Sequence, residues 1–166
     1  MQSGTGSRDL WRQYLASLSD PADAEGRFYE AFRIGDSEQS ADAGAALIRN
    51  GTKTATSALL WQYQADDQSP PREGSLSIVE NGRGEQVCIV ETTQVEIRRF
   101  ADVDAGFARD YGEWDGTLET WRRKCWAYYS ACCRELDREP SQDMLLVMTA
   151  GTSKSFGSAS GRGSER

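Results

Sequence analysis

The chain has 166 residues, enough for one domain with a real core and too few for two comfortable ones. Its net charge of -7, from 19 basic and 26 acidic residues, works against binding of duplex DNA, which depends on many phosphate-neutralising cations. It contains no histidine, so Ser-His and Cys-His catalysis and histidine-bearing metal sites are excluded.

Residues 1–7 are Gly/Ser-rich and lack the charged-then-apolar order of a signal peptide, so a flexible N-terminus is expected. No apolar run approaches membrane-spanning length, and a soluble, cytoplasmic protein is expected, with no membrane partner. Leu10, Trp11, Tyr14, Leu15 and Leu18 recur at helical spacing, which predicts an amphipathic helix from Arg8 to Leu18, stopped by Ser19-Asp20-Pro21. Phe28, Tyr29 and Phe32 form an aromatic patch expected to line the core. Ser37 or Ser40 is placed to cap a second helix running to Asn50, with Ala45, Leu47 and Ile48 as its apolar content.

Gly51-Thr52-Lys53-Thr54-Ala55-Thr56 follows, at the junction between that helix and the first extended run. Gly51 is suited to ending the helix in a left-handed turn. Lys53 and Thr56 stand three positions apart, either as a polar site at the start of a barrel or as a solvated turn before a β-branched strand. Ser57 to Tyr63 reads as a strand carrying Leu60 and Trp61, and Ala65 to Pro71 as a polar loop. Leu76–Val79 and Val87–Val90 are strands joined by the hairpin signal Asn81-Gly82-Arg83-Gly84, and Thr92 to Arg99 extends the sheet.

Phe100 to Tyr111 reads as a short helical connector, followed by the polar turn Gly112-Glu113-Trp114-Asp115-Gly116-Thr117. Thr117 is placed to cap the longest helix, whose stripe of Leu118, Trp121, Cys125, Tyr128, Cys132 and Leu136 is expected to be core. The four cysteines form no C-x-x-C pair and read as small core hydrophobes. Met144 to Met148 is a last short strand. From Gly151 the composition turns to Gly, Ser, Lys and Arg, which predicts a disordered tail over 151–166, leaving residues 8–150 as the folded domain.

The order of helix, helix, Gly51-x-Lys53-x-x-Thr56, strands, a polar turn with Gly112-Glu113 and a Thr117-Leu118-x-x-Trp121-Arg122 helix resembles the ASCH domain family of the PUA-like superfold. Gly74, Asp115 and the lead-in Phe32-x-x-Gly35-Asp36 extend the likeness, which runs from about Leu10 to Val147. The resemblance implies an α+β fold: a small, partly open PUA-like β-barrel of about five to six strands with flanking helices. It also implies a cleft lined by the Lys53 and Glu113 segments and an association with RNA or modified nucleosides. Some bacterial members hydrolyse the acetyl amide of N4-acetylcytidine with a lysine, a threonine and a glutamate, which match Lys53, Thr56 and Glu113 here. Where members often read Glu-Gly-Glu-Gly-Asp, this chain has Tyr111-Gly112-Glu113-Trp114-Asp115.

The chemistry fits those residue types. With no histidine, a desolvated lysine is the natural base, since burial lowers its pKa, and Glu113 would hold it or shuttle a proton. Tyr111, Trp114 and Trp61 are candidates for stacking on a base, and Arg122 and Asp115 for polar contacts to the ligand. The expected partner is a nucleoside or single-stranded RNA, with no cofactor. Two alternatives stand beside the amidohydrolase: a ribonuclease acting on single strands, with a divalent metal held by Glu113 and Asp115, and a non-catalytic RNA-binding module.

Overall fold

A computed structural model describes residues 9–155. The expected flexible stretch 1–7 and the tail from Phe156 onward lie outside the described residues. The rest folds as six α-helices and five strands in the order α1 (Leu10–Ala16), α2 (Pro21–Arg27), β1 (Phe28–Phe32), α3 (Glu38–Arg49), β2 (Ala55–Leu59), α4 (Leu60–Ala65), β3 (Leu76–Glu80), β4 (Gln86–Arg99), α5 (Ala105–Tyr111), α6 (Leu118–Glu135) and β5 (Leu145–Ser153).

The strands form one mixed sheet in the order β1-β3-β4-β5-β2, with β1 parallel to β3 and the other neighbours antiparallel. Its spine is β4. The N-terminal half of this 14-residue strand pairs with β3 and most of its length with β5, and a bulge between Thr92 and Gln94 bends it at the change of partner. No ladder joins β1 to β2 among the described residues, so the PUA-like barrel has an open seam between its two edge strands.

Local chemistry explains most of these elements. In α3, Ser37 and Ser40 exchange hydrogen bonds as a capping box, and Gly51 follows the helix at φ +83°. The Thr117 hydroxyl caps α6 by accepting from the Thr120 amide. Between β3 and β4 the Asn81 side-chain oxygen accepts from the amides of Arg83 and Glu85, and Gly84 takes φ +77°.

The main core packs α6 on one face of the sheet: Trp121, Cys125, Tyr129 and Cys133 meet Leu59, Phe100, Leu146 and Met148. Tyr129 is the buried tyrosine of this helix, and Tyr128, the expected one, is 42% exposed. Two smaller clusters set α1 against Leu76, Ile78 and Ile89, and α3 against Val79 and Cys88. All four cysteines are buried free thiols.

Four further expectations are corrected. Pro21 does not only stop α1 but starts α2, where its missing N–H costs nothing. Phe28–Phe32 is an edge strand of which Phe32 packs against the α3 cluster, as expected of a core-lining patch, while Phe28 is exposed. The run expected as a strand through Tyr63 ends at Leu59, whose partner Leu146 stands near the start of β5; the chain then coils into α4. The last strand continues past Gly151 to Ser153, because Val90, Glu91 and Thr92 of β4 offer it a ladder.

Candidate functional site

The site begins at two turns that touch. After Gly51 reverses the chain, the Lys53 amide donates to the Leu47 carbonyl and the Thr54 amide to the Asp110 carbonyl at 2.8 Å. Gly112 ends α5 in the left-handed region at φ +69°. A Cβ on it would lie 2.3 Å from the Thr52 carbonyl oxygen and 2.7 Å from the Lys53 Cα, so only glycine allows this approach.

That backbone contact sets Glu113 beside Lys53. Lys53 Nζ lies 3.0 Å from Glu113 Oε2, and it donates to the carbonyls of Ala55 at 2.9 Å and Tyr111 at 3.1 Å. It also sits 3.2 Å from the centroid of the Tyr111 ring. Only 1% of the Lys53 side chain is exposed, against 18% for Glu113. Burial pushes the ammonium down from its ordinary 10.5 to about 8, and the Glu113 carboxylate resists the fall. Burial raises Cys125 to about 12, so this neighbouring sulfur is a thiol rather than a thiolate nucleophile at neutral pH.

These residues open onto a cavity of about 420 Å³ lined by residues of all five strands and by Tyr111, Glu113, Trp114 and Lys124, a volume in the small-molecule range. Trp114 stacks on Tyr111, ring centroids 5.8 Å apart and planes 19° off parallel, and is 48% exposed. Its backbone sits at φ +58°, a region costly for a bulky residue.

Thr56 lines the same cavity, in register with Thr149, but its hydroxyl makes no hydrogen bond among the described residues and none joins it to Lys53. The β2 hydroxyl that reaches α6 belongs to its neighbour Ser57, which is hydrogen-bonded to Tyr129. Ser57 went unnoticed in the sequence, although the period of two along the strand puts it on the opposite face from Thr56.

Three expected ligand contacts lie elsewhere, none of them among the residues that line the cavity. Arg122 donates to the carbonyls of Ala101 and Val103 and pins the turn after β4. Asp115 accepts from Thr117 and Thr120, which holds its carboxyl below the usual range while it fastens the start of α6. Trp61 packs on the main core with Arg138 over its ring at 4.6 Å. Among the described residues no three His, Cys, Asp or Glu side chains converge as a metal site. Lys124 and Glu30 line the cavity instead. Glu30 is hidden in a run that reads as an aromatic patch, and Lys124 stands in the sequence only as one cation of the Arg122-Arg123-Lys124 run.

The sequence pattern of the ASCH domain matches residues 30–150. The chain belongs to the ASCH domain family. This ASCH chain is similar to the crystal structure of an ASCH domain from Lactobacillus crispatus JV V101, with 32% identity over 87% of this chain and 91% of that one, at a TM-score of 0.81. The crystal structure of protein EF3133 from Enterococcus faecalis V583 shares the fold at a TM-score of 0.76, with 24% identity over 87% of this chain and 85% of that one. No curated protein matches the chain. Among the described residues no helix of the ASCH domain is long and apolar enough to cross a membrane.

Proposed function

We propose that this ASCH domain is an amidohydrolase that removes the acetyl group from an N4-acetylcytidine-like nucleoside, with Lys53, Thr56 and Glu113 as its catalytic residues. The observation that carries the reading is the buried Lys53–Glu113 pair, 3.0 Å apart, on the wall of a cavity of nucleoside size. Exposed ion pairs contribute little, so a desolvated lysine paired inside a cleft points to chemistry.

In the proposed reaction Lys53 acts as the neutral amine. It takes a proton from water, or from the Thr56 hydroxyl as nucleophile, as the oxygen attacks the acetyl carbonyl. The C–N bond then breaks, and the proton returns through Glu113 to the exocyclic nitrogen. The products are acetate and cytidine; if Thr56 attacks, a water hydrolyses its acetyl ester in a second step. The Nζ atom has three acceptors around it, matching the three protons of the charged form. Burial is what brings the amine within reach near pH 8. The Tyr111–Trp114 stack offers a π face to the base.

The ribonuclease alternative fits less well. Its basic track would draw on Arg98, Arg99, Arg122, Arg123 and Lys124, but Arg98 pairs with Glu96, Arg99 pairs with Asp102 and Asp143, and Arg122 is spent on backbone carbonyls, which leaves Arg123 and Lys124. The test is incubation with N4-acetylcytidine and, separately, with labelled single-stranded RNA. Release of acetate and cytidine by the wild type, lost in Lys53→Ala, supports the proposal. Shortened RNA, or retention of the nucleoside without acetate, overturns it in favour of a ribonuclease or a binding module.

A further inference from the structure

Lys53 and Glu113 stand beside β2, one unpaired edge of the sheet, and the cavity reaches across the open seam to β1, the other edge. There the Glu30 side chain enters the lining, in register with the buried Ser77 of β3. Gln68 Nε2 donates to Glu30 Oε2 at 3.3 Å, and no cation pairs with Glu30 among the described residues. The nearby Tyr29 hydroxyl is committed to the Ser69 carbonyl. Burial raises the Glu30 carboxyl above its usual range, as expected for an acceptor short of donors.

We infer that Glu30 is the sugar-recognising residue of this cavity, accepting hydrogen bonds from the 2′- and 3′-hydroxyls of a ribonucleoside whose base lies toward Tyr111 and Trp114. A carboxylate offers two acceptor oxygens and no donor, which suits a vicinal diol, and acidic side chains hold ribose hydroxyls this way in dinucleotide-binding folds. The polarity of the cavity fits: an aromatic platform and a buried lysine beside β2, an acceptor without a counter-ion on β1 at the opposite edge of the sheet. The assignment rests on the nucleoside reading above and adds that the site selects ribonucleosides over the free base or a sugar without hydroxyls.

Calorimetric titration of the full chain with cytidine and with 2′,3′-dideoxycytidine tests it. The wild type is expected to bind cytidine tighter by about tenfold to a hundredfold, the usual worth of hydrogen bonds to a charged group. Glu30→Gln, which keeps shape and the partner of Gln68, should bring the two ligands level. Gln68→Ala serves as the control for a residue that only holds the loop, and should keep the preference. Equal binding of both nucleosides by the wild type, or an undiminished preference in Glu30→Gln, overturns the role of Glu30 while leaving the nucleoside reading intact. Binding of neither ligand overturns both.

Discussion

Gly112 and Lys53 are in backbone contact: a single methyl group on the glycine would stand 2.7 Å from the lysine Cα. The contact couples the end of α5 to the start of β2 and brings Glu113 beside the ammonium. Gly112→Ala therefore meets both a left-handed φ and a wall of backbone. It should destabilise the fold by about 2 kcal/mol or more and abolish acetate release. Urea unfolding and the amidohydrolase assay read the two effects separately.

The titration of Lys53 sets a second expectation. If the neutral amine is the base, kcat/KM rises with pH and levels off above about 8. Stability carries the same signature. The folded pKa of Lys53 is lowered, so between about 8 and 10.5 this group binds more protons in the unfolded chain than in the folded one. Its own contribution to stability rises with pH across that window, against the opposite pull of the buried thiols, whose folded pKa values are raised. The stability difference between the wild type and Lys53→Met should carry the Lys53 slope, as measured by urea midpoints of both proteins at a series of pH values.

Trp114 stands where family members often carry glycine, and it stands there at φ +58°. Trp114→Gly should relieve the backbone while removing the stacked ring. Stability is expected to stay level or rise by a fraction of a kcal/mol, while affinity for cytidine falls by about tenfold. Thermal melts and calorimetry check the pair of outcomes; a fall in stability with unchanged affinity would make the ring a structural plug.

The two adjacent hydroxyls of β2 can be separated by mutation. If Thr56 is the nucleophile or the positioner of water, Thr56→Ala should lose at least 10²-fold in kcat. Ser57→Ala and Tyr129→Phe should cost about 1 kcal/mol of stability each, through the half-buried hydrogen bond they share, and much less activity. The reverse order in a kinetic comparison would transfer the catalytic role to Ser57.

Where one residue's own chemistry decides the backbone, the sequence was legible. Ser37, Thr117 and the Asn81–Gly84 turn placed two helix starts and a hairpin, because caps and turns are satisfied within a few residues of themselves. The Lys53 and Glu113 segments stood out through residue types and family pattern. What failed depended on partners far along the chain. Leu60 to Tyr63 has the composition of a strand, yet it coils because the last rung of its ladder is Leu59 with Leu146. Tyr129 rather than Tyr128 is buried, because Ser57 and Phe100 meet that side of α6.

The sequence by itself determined the local punctuation, the absence of histidine chemistry and the presence of an ammonium, hydroxyls and carboxylates on two motif-bearing segments. Only the tertiary structure decided that Lys53 is desolvated against Glu113, that Arg122, Asp115 and Trp61 lie outside the cavity lining, and that Glu30 is part of it. The reason is that burial and pairing are properties of space between elements. No local pattern encodes how close two turns some sixty residues apart will come.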